Sequence, residues 1–397
     1  MTLAAATIAP FELDDLQERT AAFIATVAIP AEGELGLGPP SAALRTALQQ
    51  GARTAGLLAP HAPLASGGLG LNLTQQAVVF EEAGYSLLGP VALNCAAPDE
   101  GNMHLLAVVA TEEQKERYLL PLVAGEIRSC FAMTEPWPGA GSDPSQLATE
   151  ARRDTKGWRI NGRKRLITGA DGAAFAICMA RTATADGVVK ATMFLVDAAN
   201  PGFSVTRVAE TLDHAMIGGH CDVTFDDCFV PDDAVLGAPH EGFTYAQIRL
   251  APARLTHCMR WLGIARRSLD VALDLTANRE LFGSRLHDLG LAQGLIADSV
   301  IDIESSRALI RSACQAIDGG ARGTFESSVA KVYVSEAVFR VVDRAIQLVG
   351  GSGVTHETPL ARFSTEVRAF RIYDGPSEAH RWSIARRVVK SRAAAHE

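Results

Sequence analysis

The sequence lacks the motifs by which many nucleotide-dependent enzymes are recognised. It has no P-loop, and no G-x-G-x-x-G opens a helix after a strand, so neither a nucleoside-triphosphate site nor a Rossmann site is indicated. The G-x-S-x-G turn that carries the nucleophile of α/β-hydrolases is also missing. Any cofactor of this chain must therefore bind through another arrangement.

Cysteine and histidine are sparse and scattered. The chain has seven cysteines and ten histidines, with no C-x-x-C pair and no Cys/His group at the spacing of zinc ligands. This pattern predicts reduced thiols that pack as small hydrophobic side chains, and no metal site.

Long apolar runs and an excess of positive charge are also missing. No apolar stretch approaches the roughly 18 residues of a membrane span, and the N-terminus has no basic region of a signal peptide. The formal net charge of −8 over 397 residues argues against a nucleic-acid-binding surface. We therefore expect a cytoplasmic protein with neither a membrane nor a nucleic-acid partner.

The pattern changes twice along the chain. Residues 1–128 carry apolar residues three and four apart, residues 129–240 contain short runs rich in Val, Phe and Thr, and residues 241–397 return to long helical patterns. This order predicts an α+β fold with an N-terminal helical domain, a middle antiparallel β-barrel domain and a C-terminal helical bundle. Gly350-Gly351 is expected to end one of the long C-terminal helices.

Five segments combine residue types suited to binding a cofactor or moving a proton; they are Cys130–Asp143, Gly157–Ala170, Arg279–Gly283, Gln347–Gly351 and Tyr373–Glu378. The first is a glycine-rich loop whose backbone N–H groups can approach a planar or anionic ligand, although it can equally be an ordinary loop. The second contains Asn161-Gly162, which predicts a two-residue hairpin. On local sequence alone, Asp374 is better explained as a turn aspartate before Gly and Pro.

Taken together and in this order, these segments resemble the acyl-CoA dehydrogenase family over nearly the whole chain. The T-E-P…G-S-D loop, the N-G-x-K…I-T segment, the R-x-x-F-G helix end and the Q-x-x-G-G helix end follow the family's order and spacing. Asn94–Met103 and the D-G-P-x-E ending at Asp374–Glu378 match one branch of it. The resemblance implies the family's three domains, with a four-helix bundle as the last.

The resemblance also implies partners and a reaction. FAD would be the cofactor, an acyl-CoA thioester the substrate, and an electron-transfer flavoprotein the electron acceptor, in a homotetramer or homodimer. Asp374 would remove the α-proton while the β-hydride passes to the flavin. Arg254 would lie beside Asp374, and Ser142 and Arg254 would contact the substrate.

Further positions are assigned to the cofactor by the same resemblance. Thr168 would hydrogen-bond the flavin edge near its reactive nitrogen, and Arg279 would pair with the pyrophosphate as a planar guanidinium can. Gln293, Gln347 and Gly350 would reach the FAD of a neighbouring subunit. The full set of implied FAD-binding residues is Phe131, Met133, Thr134, Gly141, Ser142, Leu166, Thr168, Arg279, Phe282, Gln293, Gln347, Gly350, Gly351, Pro376 and Glu378.

The chain departs from the family pattern at three points. Asp374 stands where the family usually has a longer Glu, and Leu166 stands where it usually has a Trp against the flavin. The loop near Trp137 and Pro138 is two residues longer than its shortest version. Some members carry the base immediately before the residue that matches Arg254, but Ala253 cannot serve as one.

Two alternatives to an acyl-CoA dehydrogenase remain open on the sequence. One is a related flavoenzyme on the same scaffold: an acyl or nitroalkane oxidase, a desulfinase, or a dehydrogenase of carrier-protein-bound acyl groups. The related nitroalkane oxidases also use an Asp at the position of Asp374. The other alternative is a non-catalytic flavin-binding or assembly protein, against which the retained Asp374, Arg254, Thr134 and Arg279 argue.

Overall fold

The structure is a computed structural model that describes residues 9–35 and 38–394. The chain forms two compact units. The first unit comprises Leu35–Leu71 and Val91–Leu250, and the second comprises Asn72–Pro90 with the described parts of Ile8–Glu34 and Ala251–Glu397. The division into three domains at residues 128 and 240 stays a prediction.

Helices make up both ends of the described part of the chain. The α-helices are α1 (Pro10–Phe23), α2 (Ile29–Ala31), α3 (Ala42–Thr54), α4 (Leu73–Ala83), α5 (Gly89–Ala92), α6 (Asp99–Val109), α7 (Glu112–Gln114), α8 (Leu120–Val123), α9 (Gly242–Ala277), α10 (Gly290–Asp318), α11 (Thr324–Val349), α12 (Leu360–Arg368) and α13 (Ser377–Ala394). None of the helices within the described residues is long and apolar enough to cross a membrane.

The middle of the chain forms strands. They are β1 (Ser129–Ala132), β2 (Glu150–Asp154), β3 (Gly157–Thr168), β4 (Phe175–Ala183), β5 (Val189–Asp197), β6 (Phe203–Ala209) and β7 (His220–Pro231), followed by the short pair β8 (Glu280–Leu281) and β9 (Ser284–Arg285). The predicted α+β fold class, with helical ends and a β middle part, is confirmed.

The first seven strands form one curled sheet in the order β1-β4-β2-β3-β7-β6, with β5 added on β4. Most pairs are antiparallel, as predicted, but β4 runs parallel to both β1 and β2. These parallel pairs join strands distant in sequence, which no local pattern reveals. The core of the sheet contains Ile160, Phe194 and Phe225, none more than 2% exposed.

The hairpin predicted at Asn161-Gly162 is wrong. The chain turns at Thr155 and Lys156, between β2 and β3, and β3 continues through Asn161 and Gly162 with a shift of register against β7. The Asn161 side chain accepts a hydrogen bond from the backbone N–H of Asp227 at 2.8 Å. A Cβ on Gly162 would lie 2.4 Å from the Thr149 Oγ1, so the glycine serves a close approach of two chain segments.

The long helices of the second unit follow the predicted apolar pattern. In α9, Leu255, Met259 and Leu262 are at most 1% exposed, and α11 ends at Val349 with Gly350 at a φ of 72°, as expected of a glycine stop. The last residue of α10, Asp318, accepts the backbone N–H groups of Leu73 and Thr74 at 3.0 and 2.9 Å. A carboxylate therefore caps the N-terminus of α4 from another helix.

All seven cysteines are buried and unbridged, which confirms the prediction of reduced, packed thiols. Burial raises the pKa of the Cys258 thiol to about 12. A thiol with such a pKa stays protonated near neutral pH and is a poor nucleophile.

We expect Gly162→Ala to lower the free energy of unfolding by roughly 1–3 kcal/mol, because the added methyl group overpacks against Thr149. Urea denaturation of the purified protein measures this change. Gly141→Ala is the matched control, since a Cβ there meets no atom within 4 Å. Equal stability of the two variants would contradict the continuous strand.

Candidate functional site

In the first unit, the loop after β1 is built around a buried ion pair. Lys164 Nζ lies 2.9 Å from Glu135 Oε1, and both side chains are at most 1% exposed. Glu135 also accepts the backbone N–H groups of Ala140, Ala148 and Thr149 at 3.0, 2.6 and 2.8 Å. The Glu of the first segment and the Lys of the second are thus partners that hold the loop in its fold.

The same lysine ties the loop to the sheet. Lys164 Nζ donates to the carbonyl oxygens of Met133 and Met179 at 3.1 and 2.7 Å. Burial raises the pKa of Glu135, but the Lys164 charge and the N–H donors outweigh it and lower that pKa to about 2. The carboxylate is therefore ionised at any physiological pH, as its four donors require.

The structure brings several of the expected cofactor residues of the first unit together. The backbone N–H of Arg165 donates to the carbonyl oxygen of Thr134 at 2.9 Å, so the segment Phe131–Thr134 lies beside the end of β3. Thr134 and Leu166 are exposed and Thr168 is half-buried. Leu166 has a φ of 55°, in the left-handed region that non-glycine residues rarely adopt. Together these residues present hydroxyl groups and apolar surface at the face of the unit.

The lengthened part of the loop points into solvent. Trp137 is 92% exposed, and Gly141 and Ser142 are also exposed.

In the second unit, Asp374 occupies a tightly held turn. Its φ is 53° and that of Gly375 is 97°, so both residues lie in the left-handed region. A Cβ on Gly375 would lie 2.6 Å from the His380 Nε2. The D-G sequence is therefore required by backbone geometry as well as by any chemistry of the aspartate.

Three cationic or polar side chains hold the backbone of this turn. Arg254 Nε and His380 Nε2 both contact the Asp374 carbonyl oxygen, at 3.1 and 3.0 Å. Lys331 Nζ donates to the Gly375 carbonyl oxygen at 2.7 Å. Arg254 is 8% exposed and Lys331 is fully buried. The left-handed conformation of Asp374 is thus fixed by buried donors rather than by the turn alone.

Histidines on either side of the turn have defined tautomers. Burial, followed by the Arg254 charge, lowers the pKa of His380 to about 4, so its Nε2–H donates to the Asp374 carbonyl, while Nδ1 lies 3.0 Å from Ser328 Oγ. His257 Nδ1 lies 3.2 Å from the guanidinium of Arg260, which can only donate. The Nε2–H of His257 therefore faces Asp374 Oδ2, 3.5 Å away.

The carboxylate of Asp374 lies among positive charges. Burial lowers the pKa of Lys331 to about 8, while the charge of Asp374 opposes this shift. Burial likewise lowers the pKa of Arg254, again opposed by Asp374. The Asp374 side chain keeps 19% of its surface exposed, so it is partly desolvated and still accessible.

A second group of expected residues lies where α11 ends. Arg279 Nη1 donates to the carbonyl oxygen of Val349 at 3.0 Å, which places a cation at the C-terminus of α11. Arg279 follows the end of α9 and precedes a β8–β9 hairpin, whose turn residues Phe282 and Gly283 both have positive φ. The expected helix end at Arg279–Gly283 is thus a helix end followed by a hairpin.

The side chains around this group face outward. Phe282 is 95% exposed, and Gln293, Gln347, Gly351 and Glu378 are exposed as well, while Gly350 and Pro376 are half-buried. Arg279 therefore lies beside Gly350, and the neighbouring Phe282 side chain is exposed on the surface of the unit.

Comparison with known proteins matches nearly the whole chain to one family. Models of the acyl-CoA dehydrogenase N-terminal, middle and C-terminal domains match residues 11–126, 130–228 and 240–389. "Probable acyl-CoA dehydrogenase FadE2" of Mycobacterium tuberculosis is 39% identical over 80% of this chain and 79% of its own length.

The chain belongs to the acyl-CoA dehydrogenase family. The resemblance seen in the sequence is therefore confirmed, and it supports an oxidoreductase of the acyl-CoA dehydrogenase type. Acyl-CoA dehydrogenase family member 11 of Gallus gallus is 37% identical over 80% of this chain. The chain spans only 42% of the length of that relative.

Solved structures of the family share the fold. A Mycobacterium abscessus structure with an acyl-CoA dehydrogenase description is 34% identical, has a TM-score of 0.89, and covers 97% of this chain and 100% of its own. A glutaryl-CoA dehydrogenase of Mycobacterium smegmatis in complex with FADH2 is 25% identical, with a TM-score of 0.84 over 95% of this chain and 94% of its own.

Sequence reasoning missed several residues around the family's motifs. Arg249 donates from Nε to Asn102 Oδ1 at 2.8 Å, and its guanidinium lies 4.1 Å from the centre of the Phe131 ring. A Cβ on Gly101 would lie 3.2 Å from that guanidinium. The branch segment Asn94–Met103 therefore supplies the glycine and the asparagine that accommodate Arg249.

Lys331 and His380 were missed as well. The sequence does contain a hint of the role of Lys331, because Lys331 is a lone cation between the apolar residues Ala330 and Val332 of α11. His380 gave none, since its contact with the Asp374 carbonyl depends on the turn that places α13.

We expect Lys164→Met to lower the free energy of unfolding by roughly 3–5 kcal/mol, because it leaves Glu135 buried without its counter-charge. The matched control is Arg152→Met. Arg152 forms an exposed pair with Glu150 at 3.1 Å, and such a pair contributes less than about 1 kcal/mol. Urea denaturation of both variants distinguishes the two cases; similar losses would contradict a special role for the buried pair.

The depressed pKa of Glu135 also predicts a pH dependence. Its folded pKa of about 2 is below the roughly 4.3 of an unfolded glutamate, so its contribution to stability is complete above about pH 5 and is lost as pH falls towards 2. We expect the wild type to lose stability over this window more steeply than Glu135→Gln. Parallel denaturation curves at stepped pH values measure the difference, and equal slopes would be evidence against the assignment.

Proposed function

We propose that this chain catalyses FAD-dependent α,β-dehydrogenation of an acyl-CoA thioester, with Asp374 as the base. The observation that carries the proposal is the environment of Asp374: a partly exposed carboxylate on a left-handed turn whose backbone is fixed by Arg254, His380 and Lys331. Strained backbone that the surroundings hold in place is typical of functional sites.

The geometry suits removal of a weakly acidic proton. A base for the α-C–H of a thioester must be held in place and partly withdrawn from water, and its carboxylate must be ionised. Arg254 and Lys331 supply positive charge that favours the ionised form. His257 presents an N–H toward Asp374 Oδ2, 3.5 Å away.

The residues present fit FAD. The first unit offers the hydroxyl groups of Thr134, Ser142 and Thr168 beside the apolar surface of Leu166 and Met133. In the second unit, Arg279 is a guanidinium suited to a pyrophosphate. At Gly351 a Cβ would meet nothing within 4 Å, so its backbone is open to a ligand.

FAD, when bound, accepts the hydride that leaves the β-carbon, which no amino-acid side chain can do. The remaining FAD contacts proposed from the family resemblance are those of Phe131, Gly141, Phe282, Gln293, Gln347, Gly350, Pro376 and Glu378. Ser142 and Arg254 are the proposed substrate contacts. An electron-transfer flavoprotein is the proposed acceptor, in a cytoplasmic homotetramer or homodimer.

We expect Asp374→Asn to bind FAD normally and to slow acyl-CoA-driven bleaching of the flavin by about a thousandfold, as loss of a general base does. Anaerobic stopped-flow absorbance with a panel of acyl-CoA chain lengths measures this rate and also defines the substrate. Asp227→Asn is the matched control, because Asp227 is another aspartate with positive φ, 44°, in the first unit. Wild-type bleaching by Asp374→Asn would refute the assignment of the base.

The aliphatic Leu166 predicts a difference in reactivity toward oxygen. It is 46% exposed, and a tryptophan there would cover more of a bound flavin. We expect Leu166→Trp to slow reoxidation of the reduced protein by oxygen, measured by the return of flavin absorbance in air. An unchanged rate would contradict the proposed role of Leu166, and peroxide release by the wild type during turnover would favour the oxidase alternative.

A further inference from the structure

Thr168 is the end of a three-residue hydrogen-bonded chain in the first unit. Thr168 on β3 and His220 on β7 are directly opposite each other in the antiparallel register, so their side chains share a face of the sheet. Thr168 Oγ1 lies 2.9 Å from His220 Nδ1, and His220 Nε2 lies 3.0 Å from Asp213 Oδ2. We call this arrangement the Thr168–His220–Asp213 chain.

The loop that carries Asp213 is fixed by local contacts. Thr211 Oγ1 donates to the Asp213 carbonyl at 2.9 Å, and Asp213 is only 6% exposed. A Cβ on Gly218 would lie 2.4 Å from the Asp171 carbonyl oxygen, so Gly218 lets the loop pack against the end of β3. The loop thereby holds the carboxylate on the far side of the imidazole from Thr168.

The chemistry of the three groups sets the direction of each hydrogen bond. Burial raises the pKa of Asp213, but its hydrogen bond to His220 and the charge interaction outweigh burial and lower it. An ionised carboxylate only accepts, so Nε2 of His220 carries a hydrogen. In the neutral imidazole Nδ1 is then an acceptor, and it must take the hydroxyl hydrogen of Thr168.

The consequence concerns what Thr168 can offer a ligand. With His220 neutral, the hydroxyl hydrogen is engaged and the oxygen presents only lone pairs outward. With His220 protonated, Nδ1–H donates to the Thr168 oxygen and the hydroxyl hydrogen is released to donate elsewhere. The donor or acceptor character of Thr168 is therefore decided by His220.

We propose that Asp213 and His220 are positioning residues that make Thr168 a hydrogen-bond acceptor toward its ligand, so that the protein favours the form of the cofactor that carries an N–H at that point. This inference rests on the proposed function, in which Thr168 meets the reactive nitrogen of a flavin. That nitrogen accepts hydrogen bonds in the oxidised cofactor and carries a hydrogen in the reduced one. Neutral His220 thus favours reduced FAD, and protonated His220 favours oxidised FAD.

Other ionisable groups surround His220 and enter any pH dependence. On β6, Arg207 pairs with Asp222 of β7 at 2.9 Å. Arg128 donates to the carbonyl oxygens of Gly169 and Ile217 at 3.1 and 3.4 Å. Further charged or titratable neighbours in sequence are Asp171, on the turn after β3, and His214, next to Asp213. None of these is placed in the chain that ends at Thr168.

The first experiment tests the chain itself and needs no cofactor. Nitrogen NMR of the full-length protein labelled at histidine distinguishes the two ring tautomers, and His220→Gln assigns the signal. We expect the Nε2–H tautomer of His220 in the wild type. In Asp213→Asn the amide can donate to Nε2, so the Nδ1–H tautomer is expected to appear. An Nδ1–H tautomer in the wild type would overturn the proposal whatever the protein's function.

The second experiment tests the effect on the cofactor. Spectroelectrochemical titration of the FAD-loaded protein from pH 5 to 9 gives the ratio of the affinities for reduced and oxidised FAD. We expect Asp213→Asn to lower this ratio by about tenfold at high pH, which is the size of one neutral hydrogen bond. His220→Gln is expected to change the ratio as well, because the ring nitrogen that accepts the Thr168 hydroxyl hydrogen is removed.

His240→Gln is the matched control. His240 Nδ1 lies 2.8 Å from Thr182 Oγ1, in a threonine–histidine pair of the same unit that the family resemblance does not assign to the cofactor. We expect its pH profile to match the wild type. Thr168→Ser should retain the wild-type profile, and Thr168→Val should abolish the difference that Asp213→Asn produces.

The outcomes separate the two proposals. If His220 is the Nε2–H tautomer but the protein binds no FAD, the proposed function is refuted and the Thr168–His220–Asp213 chain is retained. A different result would overturn the positioning role. In it, the protein binds FAD and shows the expected tautomers, but Asp213→Asn and His220→Gln have the same ratio of reduced to oxidised FAD affinity as the wild type at every pH. If Asp213→Asn fails to fold, the comparison of Thr168→Ser, Thr168→Val and His220→Gln decides the same question.

Discussion

The buried pair of Lys164 and Glu135 is the interaction on which the first unit's site depends. A charge in the interior is tolerated only when it is paired and its remaining hydrogen-bonding capacity is used. Lys164 meets this requirement with two carbonyl oxygens of neighbouring segments, and Glu135 meets it with three backbone N–H groups. Satisfying the pair therefore folds the loop, and the loop then exposes Thr134 and Ser142 in fixed positions.

In the second unit, buried donors likewise hold the turn at Asp374 and Gly375. Lys331, Arg254 and His380 each lie within hydrogen-bonding distance of a carbonyl oxygen of Asp374 or Gly375. The charges of Lys331 and Arg254 favour an ionised carboxylate, and the bonds of all three residues hold a backbone conformation that costs on the order of 1–3 kcal/mol for a non-glycine residue. The same group of buried donors thus holds Asp374 in its strained backbone conformation and favours the ionised form of its side chain. The backbone of the proposed base is thus placed by buried donors from elsewhere in the second unit.

How much could be predicted from the sequence depended on the range of the interactions involved. The helix pattern, the glycine stop after α11, the buried thiols and the fold class follow from composition and periodicity, which are local. The Asn161-Gly162 hairpin was wrong because the same dipeptide serves a strand irregularity when a partner strand and Thr149 pack against it. Local sequence cannot tell these uses apart, since the deciding contact comes from a distant residue.

Family membership follows from the amino-acid sequence alone, because five segments with the right residues in the right order are independent observations that agree. The same segments nominate Asp374, Arg254, Thr168 and Arg279. The fold is needed to show that Asp374 is a carboxylate on a strained, firmly held turn rather than an ordinary turn aspartate. It is also needed to show that Thr168 is hydrogen-bonded to His220, and His220 to Asp213. Hydrogen bonds to buried carbonyl oxygens and across strands join residues far apart in the chain, so these contacts exist only once the chain has folded.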